Sequence, residues 1–251
     1  MCKHPCDNDE CVFHNTGLDE PTHCVLRNLV RGALFDVHQL LVREGDTRTH
    51  FFVMRTGYAK LTSLLASGRA QITGLRRRGQ LVGFAWDDTV YPYTATALTD
   101  VEVCEISHKG VLQVLQEKSA VTLRVVRRVA EELAQARALI RDLGAKNAQQ
   151  RIASFILSLC TAEVKPATTL PLPLTRQEIA ELLGLSRETV SRVMSDLTRN
   201  RLIDVSHSGV SILAPAQLYA CAIGARQRGK AKPQAAKAVV ARHDDDCRPA
   251  E

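Results

Sequence analysis

The chain has 251 residues, 45% of them apolar, with 33 Lys and Arg against 27 Asp and Glu and a formal charge of +6. That suits two modest domains with buried cores, and the basic excess favours an anionic partner without identifying one. No apolar run approaches the roughly 18 residues of a membrane span, and the start MCKHPCDNDE carries acids and no apolar core, which argues against a signal peptide and predicts a cytoplasmic protein with no membrane partner.

Residues 1–30 form a cysteine-rich segment, and residues 1–24 of it hold no helical or alternating apolar pattern, so only ligation or docking would order them. Cys2, Cys6, Cys11 and Cys24 crowd together here, while Cys104, Cys160, Cys221 and Cys247 are scattered. A reducing cytosol disfavours structural disulfides, which points the cluster toward thiolate ligation or redox chemistry. The spacing Cys2-x3-Cys6-x4-Cys11 matches neither paired zinc CxxC motifs nor a ferredoxin run. Zinc, with His4, His14 or His23 replacing a thiolate, and a thiol-disulfide switch both stay open, although histidines in a tail are usually just solvated. Cys104, lying between Val103 and Ile106, reads on its own as a small buried hydrophobe.

Residues 31–108 show short apolar or alternating runs punctuated by Gly45, Gly57, Ser67-Gly68 and Gly79, the spacing of a compact β-roll. Trp86, Tyr91 and Tyr93 are core or rim residues of such a roll unless they line a pocket. Residues 109–143 hold a short helix, Lys109 to Leu115, and a long one from about Val121 to Asp142. In the long helix Val126, Val129, Leu133, Ala136, Ile140 and Leu143 step by three and four, a coiled-coil seam along which two chains would pair. The alternative is one amphipathic helix packed on its own roll.

Residues 144–220 begin with a hinge, Gly144 to Asn147, and a helix carrying Ile152, Phe155, Ile156 and Leu159 on one face. Thr175 and Glu178 form a capping-box start, Ile179, Leu182 and Leu183 follow at helical spacing, and Gly184 breaks the run. Ser186 then caps a second helix whose apolar positions are Val190, Val193, Met194 and Leu197, leaving Arg187, Glu188, Ser191 and Arg192 to solvent. In a helix-turn-helix the first turns of the second helix reach base edges, where Arg matches the two acceptors of guanine and Glu accepts from the cytosine amine. A small surface helix with solvated charges is the plain alternative. The strand-turn-strand Leu202 to Leu213 looks like a wing and favours the DNA reading. Residues 221–251, rich in Ala, Lys and Arg, read as a disordered basic tail.

From Leu34 to Tyr219 the chain resembles the CRP/FNR superfamily of bacterial transcription regulators. Glu188-x-x-Ser191-Arg192 matches the recognition helix of the FNR branch, and LGAKNAQQRIASFILSL, GQLVGF and VCEI are similar to its joining segment and sensor motifs. Arg187 departs from FNR, which is apolar there, and agrees with CRP. The resemblance implies an α+β fold with a cyclic-nucleotide-binding-like β-roll, a long dimerisation helix and a C-terminal winged helix-turn-helix. It implies a homodimer on a pseudo-palindromic duplex, RNA polymerase as a further partner, and no enzyme activity. Arg187, Glu188, Ser191, Arg192 and Thr175 would contact the DNA, with Arg199 and Arg201 on phosphate.

The FNR branch holds a [4Fe-4S] cluster on three N-terminal cysteines and one from the sensor domain. That implies oxygen or redox sensing here, most simply through Cys2, Cys6 and Cys11 with Cys104, Cys24 being the reserve. A trigger by small ligand, haem, nitric oxide or thiol oxidation is the alternative. CRP places an Arg-Ser pair in its phosphate-binding cassette, whereas no Arg lies between Arg78 and Arg124, so no cyclic nucleotide is expected. A redox or metal-storage enzyme finds no nucleophile-base pair, phosphate loop or CxxC motif to support it.

Overall fold

The computed structural model describes residues 30–84, 89–117, 119–160, 169–207 and 209–225. They fall into two compact units divided between Ala138 and Leu139, and the fold is α+β as expected.

The first unit is a roll of two four-stranded antiparallel sheets. Its strands are β1 (Val30–Phe35), β2 (Leu40–Val42), β3 (His50–Thr56), β4 (Ala59–Leu64), β5 (Ala70–Arg76), β6 (Leu81–Val82), β7 (Thr94–Ala97) and β8 (Val101–Ser107). One sheet runs β1-β8-β3-β6 and the other β2-β7-β4-β5. The sequence of β3, HFFVMRT, is apolar at successive positions because both its faces are covered. Phe52 and Met54 join Leu61, Ala95 and Val103 between the sheets, whereas Phe51 and Val53 join Cys104 and Ile106 on the opposite face.

That opposite face is covered by helices. α1 (His108–Glu117) contributes Val111, Val114 and Leu115, and α2 (Ser119–Ala145) contributes Val121 and Val125. Beyond Val125 four large apolar residues of α2 stay exposed within the chain, Val126 at 56%, Val129 at 41%, Leu133 at 49% and Ile140 at 69%, whereas Leu139 and Leu143, the latter an expected seam residue, are half-buried. The expected hinge shortens, because α2 continues through Gly144 to Ala145. Lys146 Nζ pairs with Asp142 at 2.8 Å one turn back, which holds that last turn helical.

The second unit contains α3 (Ala148–Ser158), β9 (Thr169–Leu170), α4 (Arg176–Leu183), α5 (Arg187–Arg199), β10 (Ile203–Ser206), β11 (Gly209–Ile212) and α6 (Pro215–Ile223). Its core gathers Ile152 and Ile156 of α3, Ile179 of α4, Leu197 of α5, Ile203, Ile212 and Leu218, each fully buried. α6 runs past residue 220, where the sequence suggested the tail begins: Pro215 starts it, Leu218 and Ala222 bury, and Gly224 at φ 71 ends it. Among the described residues no helix is long and apolar enough to cross a membrane.

Candidate nucleic-acid interface

Two short helices set at a tight turn carry the candidate site, and local chemistry fixes each end. Thr175 Oγ1 accepts from the Glu178 backbone N–H at 3.2 Å, and Glu178 Oε2 accepts from the Thr175 N–H at 2.8 Å, a reciprocal capping box. α4 stops at Gly184, whose φ of 62° and ψ of 44° lie in the left-handed region. Two residues later Ser186 Oγ accepts from the Thr189 N–H at 3.2 Å and starts α5.

The turn is held from below by Arg151 of α3. Its Nε donates to Lys146 O at 2.9 Å, Nη1 to Leu183 O at 3.0 Å and Nη2 to Leu143 O at 2.6 Å. These carbonyls lie at the ends of α2 and α4 and in the link before α3, and two of them are last-turn carbonyls that helix geometry leaves without partners. Nothing in local sequence periodicity pointed to this clamp. A lone Arg at the start of an apolar helix was its only trace.

Packing decides which face of α5 remains free. Val190, Val193, Met194 and Leu197 are buried against α3, α4 and the strands, while Arg187, Glu188, Ser191 and Arg192 are all exposed, together with Ser195 one turn further on. The structure therefore brings the four expected readout residues onto one surface at the helix N-terminus. The carboxyl of Glu188 sits below the usual carboxylate range because its own backbone N–H, the Ser186 hydroxyl and then the Arg187 charge stabilise the anion. It stays an acceptor throughout the neutral range.

The remaining expected contacts flank this surface. Thr175 is exposed, with its hydroxyl engaged in the cap. Arg199 is 76% exposed at its side chain and pairs with Asp196 at 3.2 Å. Arg201 is exposed and holds φ 54°, left-handed for a residue with a Cβ. The chain turns there as in a Schellman motif: Leu202 N–H donates to Leu197 O at 3.0 Å and Arg201 N–H to Thr198 O at 2.9 Å. β10 and β11 follow as the expected wing, and β9 adds a third strand that the sequence reading did not anticipate. Gly209 has no room for a side chain, since a Cβ would lie 2.0 Å from Leu170 O of β9.

In the roll, Cys104 is 1% exposed in β8, in register with Gly32 of β1 and Val53 of β3. At Gly32 no described atom lies within 4 Å of where a Cβ would stand. Cys2, Cys6, Cys11, Cys24 and Trp86 lie outside the described residues, and among those described no three His, Cys, Asp or Glu come together as a metal site. Tyr91 is a core residue whose hydroxyl donates to His50 O at 2.7 Å, and Tyr93 accepts from the Gly83 N–H at 2.8 Å. Glu132 of α2 reaches into the roll, where Oε1 accepts from the Leu81 N–H at 2.8 Å and Oε2 from Arg76 Nη2 at 3.0 Å. Burial raises the Glu132 pKa against the lowering pull of Arg76.

A winged helix-turn-helix with a polar, basic reading face, carried on a chain that also folds a sensor-type roll, defines a DNA-binding transcription regulator rather than an enzyme. Residues 150–221 match the Crp-like helix-turn-helix domain and residues 34–118 the cyclic nucleotide-binding domain. The nitrogen fixation regulation protein FixK of Bradyrhizobium diazoefficiens is 32% identical over 198 residues, 78% of this chain and 83% of its own length. The transcriptional activator protein FnrA of Stutzerimonas stutzeri is 34% identical, covering 78% and 82%. The Anaerobic regulatory protein of Haemophilus influenzae is 30% identical, covering 69% of each chain. The structure of FixK2 from Bradyrhizobium japonicum superimposes with a TM-score of 0.70 at 23% identity, over 77% of this chain and 97% of that one. The chain belongs to the CRP/FNR superfamily of transcription regulators.

Proposed function

We propose that the chain works as a homodimer that reads a pseudo-palindromic operator and that its DNA binding is set by oxygen or redox state through a cysteine-held [4Fe-4S] cluster. The observation that carries the dimer is the uncovered apolar stripe on α2, whose members Val126, Val129, Leu133 and Ile140 are 41–69% exposed in one chain. Pairing two copies along it removes that surface from water and presents two α5 helices to successive major grooves.

In this reading Arg187 and Arg192 donate to guanine, Glu188 accepts from cytosine and Ser191 completes the edge contacts, while Thr175, Arg199 and Arg201 hold phosphate. The operator-bound dimer would present its outer surfaces to RNA polymerase, and the cell compartment is the cytoplasm.

Cys104 would supply the internal cluster ligand and Cys2, Cys6 and Cys11 the others, with Cys24 in reserve. Cys104 stands in register with Gly32, so β1 places no side chain beside it at that position. When bound, such a cluster supplies an oxygen- and redox-sensitive centre. The chain's own part is mechanical: Cys104 lies four residues before α1 begins, on a strand paired on both sides, so a pull on it reaches the helices that carry the dimer stripe. A relative named as an anaerobic regulator supports the signal. For cyclic nucleotide there is little provision, because the guanidinium of Arg76 is already engaged by Glu132.

Anaerobic purification tests the signal. Iron and sulfide in the protein, with operator binding under argon and loss of it in air, are the expected result. A colourless protein that binds DNA equally under both gases removes the cluster from the proposal and leaves another trigger, such as a small ligand or thiol oxidation.

A further inference from the structure

The roll contains a buried cation that the regulator's DNA contacts and cluster ligands do not use. Arg48, just before β3, is 8% exposed, yet its Nε and Nη1 are buried without a hydrogen-bond partner. Its Nη2 lies 3.2 Å from Nε2 of His108, the first residue of α1. The two residues are tied by backbone as well, since the His108 N–H donates to Thr49 O at 3.0 Å.

This contact settles the state of the imidazole. A guanidinium can only donate, so Nε2 must accept and the ring proton must sit on Nδ1. Nδ1 is itself buried and unpartnered. Burial first, and then the Arg48 charge, lower the pKa of His108, which agrees with a neutral ring. The group is therefore made of N–H donors only and carries one full positive charge.

Nothing described nearby neutralises it. Glu105 of β8 lies instead 3.7 Å from His50. The first turn of α1 has no acidic residue and adds the positive end of the helix dipole. A buried guanidinium with open donors is strongly destabilising unless an acceptor with negative charge meets it.

We propose that Arg48 and His108 form a binding site for a small monovalent anion, a halide or a planar oxyanion such as nitrate or bicarbonate, between the start of β3 and the first turn of α1. A guanidinium only 8% exposed favours a small occupant over a large one, and the open donors Nε and Nη1 of Arg48 and Nδ1 of His108 favour an anion over a cation. Bound there, the anion pins α1, and through it the start of α2, onto the roll, so the sensor unit is firmer when the anion is present. The site is independent of the cluster reading.

The test uses the full-length protein in gluconate buffer, an anion too large to enter, with chloride and nitrate titrated separately at constant ionic strength. In the wild type the unfolding midpoint should rise and saturate with at least one of them, and the ¹⁵N side-chain resonance of Arg48 Nε–H should move along the same curve. Arg48→Met should lose the saturable rise, and His108→Phe should weaken it. Parallel, unsaturating responses in wild type and Arg48→Met overturn the site. So does an Arg48 Nε–H resonance that ignores every anion, a reading that stands even if Arg48→Met does not fold.

Discussion

Replacing Ile140 by Ala isolates the dimer stripe. Ile140 is 69% exposed in the single chain, and fully burying such a side chain is worth about 1.5–3 kcal/mol. Covering that remaining surface should recover about 1–2 kcal/mol per chain, hence about 2–4 kcal/mol per dimer, since a two-fold interface uses it twice. Most of this is lost with the Ala side chain, so self-association should weaken by roughly 30- to 700-fold at 1.4 kcal/mol per tenfold. Sedimentation equilibrium measures the dimer constant directly, and titration with a palindromic duplex should show the same loss. Leu64→Ala is the control: Leu64 is 65% exposed on β4, off the stripe. Ile140→Ala and Leu64→Ala behaving alike in both assays would refute the assignment of α2 as the seam.

Three further expectations concern single side chains. Glu188→Ala should reduce discrimination at one base pair by roughly five- to a hundred-fold, with random DNA little affected, when binding is measured across single-base operator variants. Arg201→Gly should raise stability by about 1 kcal/mol by removing a left-handed backbone cost, while operator affinity falls and the dependence of log affinity on log salt becomes shallower; chemical denaturation and a salt series read the two effects separately. At Glu132, burial outweighs Arg76, so the folded carboxyl holds its proton above the ordinary value of 4.5 and wild-type stability should decline as pH rises from there through the folded pKa. Glu132→Gln should flatten that slope and cost about 1–3 kcal/mol at neutral pH, since its single carbonyl can replace the acceptor for Leu81 N–H or for Arg76 but not for both. Glu132→Ala, which leaves Leu81 N–H and Arg76 without an acceptor, should cost about 3–5 kcal/mol.

The DNA-reading end was legible because its determinants are local. A cap at Thr175, a left-handed stop at Gly184 and a second cap at Ser186 each act within four residues, and the alternation of buried and free positions on α5 follows from 3.6 residues per turn. The stripe on α2 was legible for the same reason. What escaped were charged side chains whose partners are distant in sequence. Glu132 and Arg76 are 56 residues apart, Arg48 and His108 60, and Arg151 and Leu183 32. Each looks in sequence like an ordinary solvated charge, and only the fold shows which of them is drawn inward. β9 was missed because a two-residue strand carries too little pattern to declare itself.

The Arg151 clamp bears on how such a regulator can change its targets. Because one guanidinium grips three carbonyl ends beneath the turn, the posture of the reading head is secured without help from the side chains that face the duplex. Arg187, Glu188, Ser191 and Arg192, which we propose read the duplex, are thus at liberty to be exchanged for a different vocabulary. New promoters can be acquired by rewriting four letters on a rigid stylus, leaving the hand that holds it unaltered.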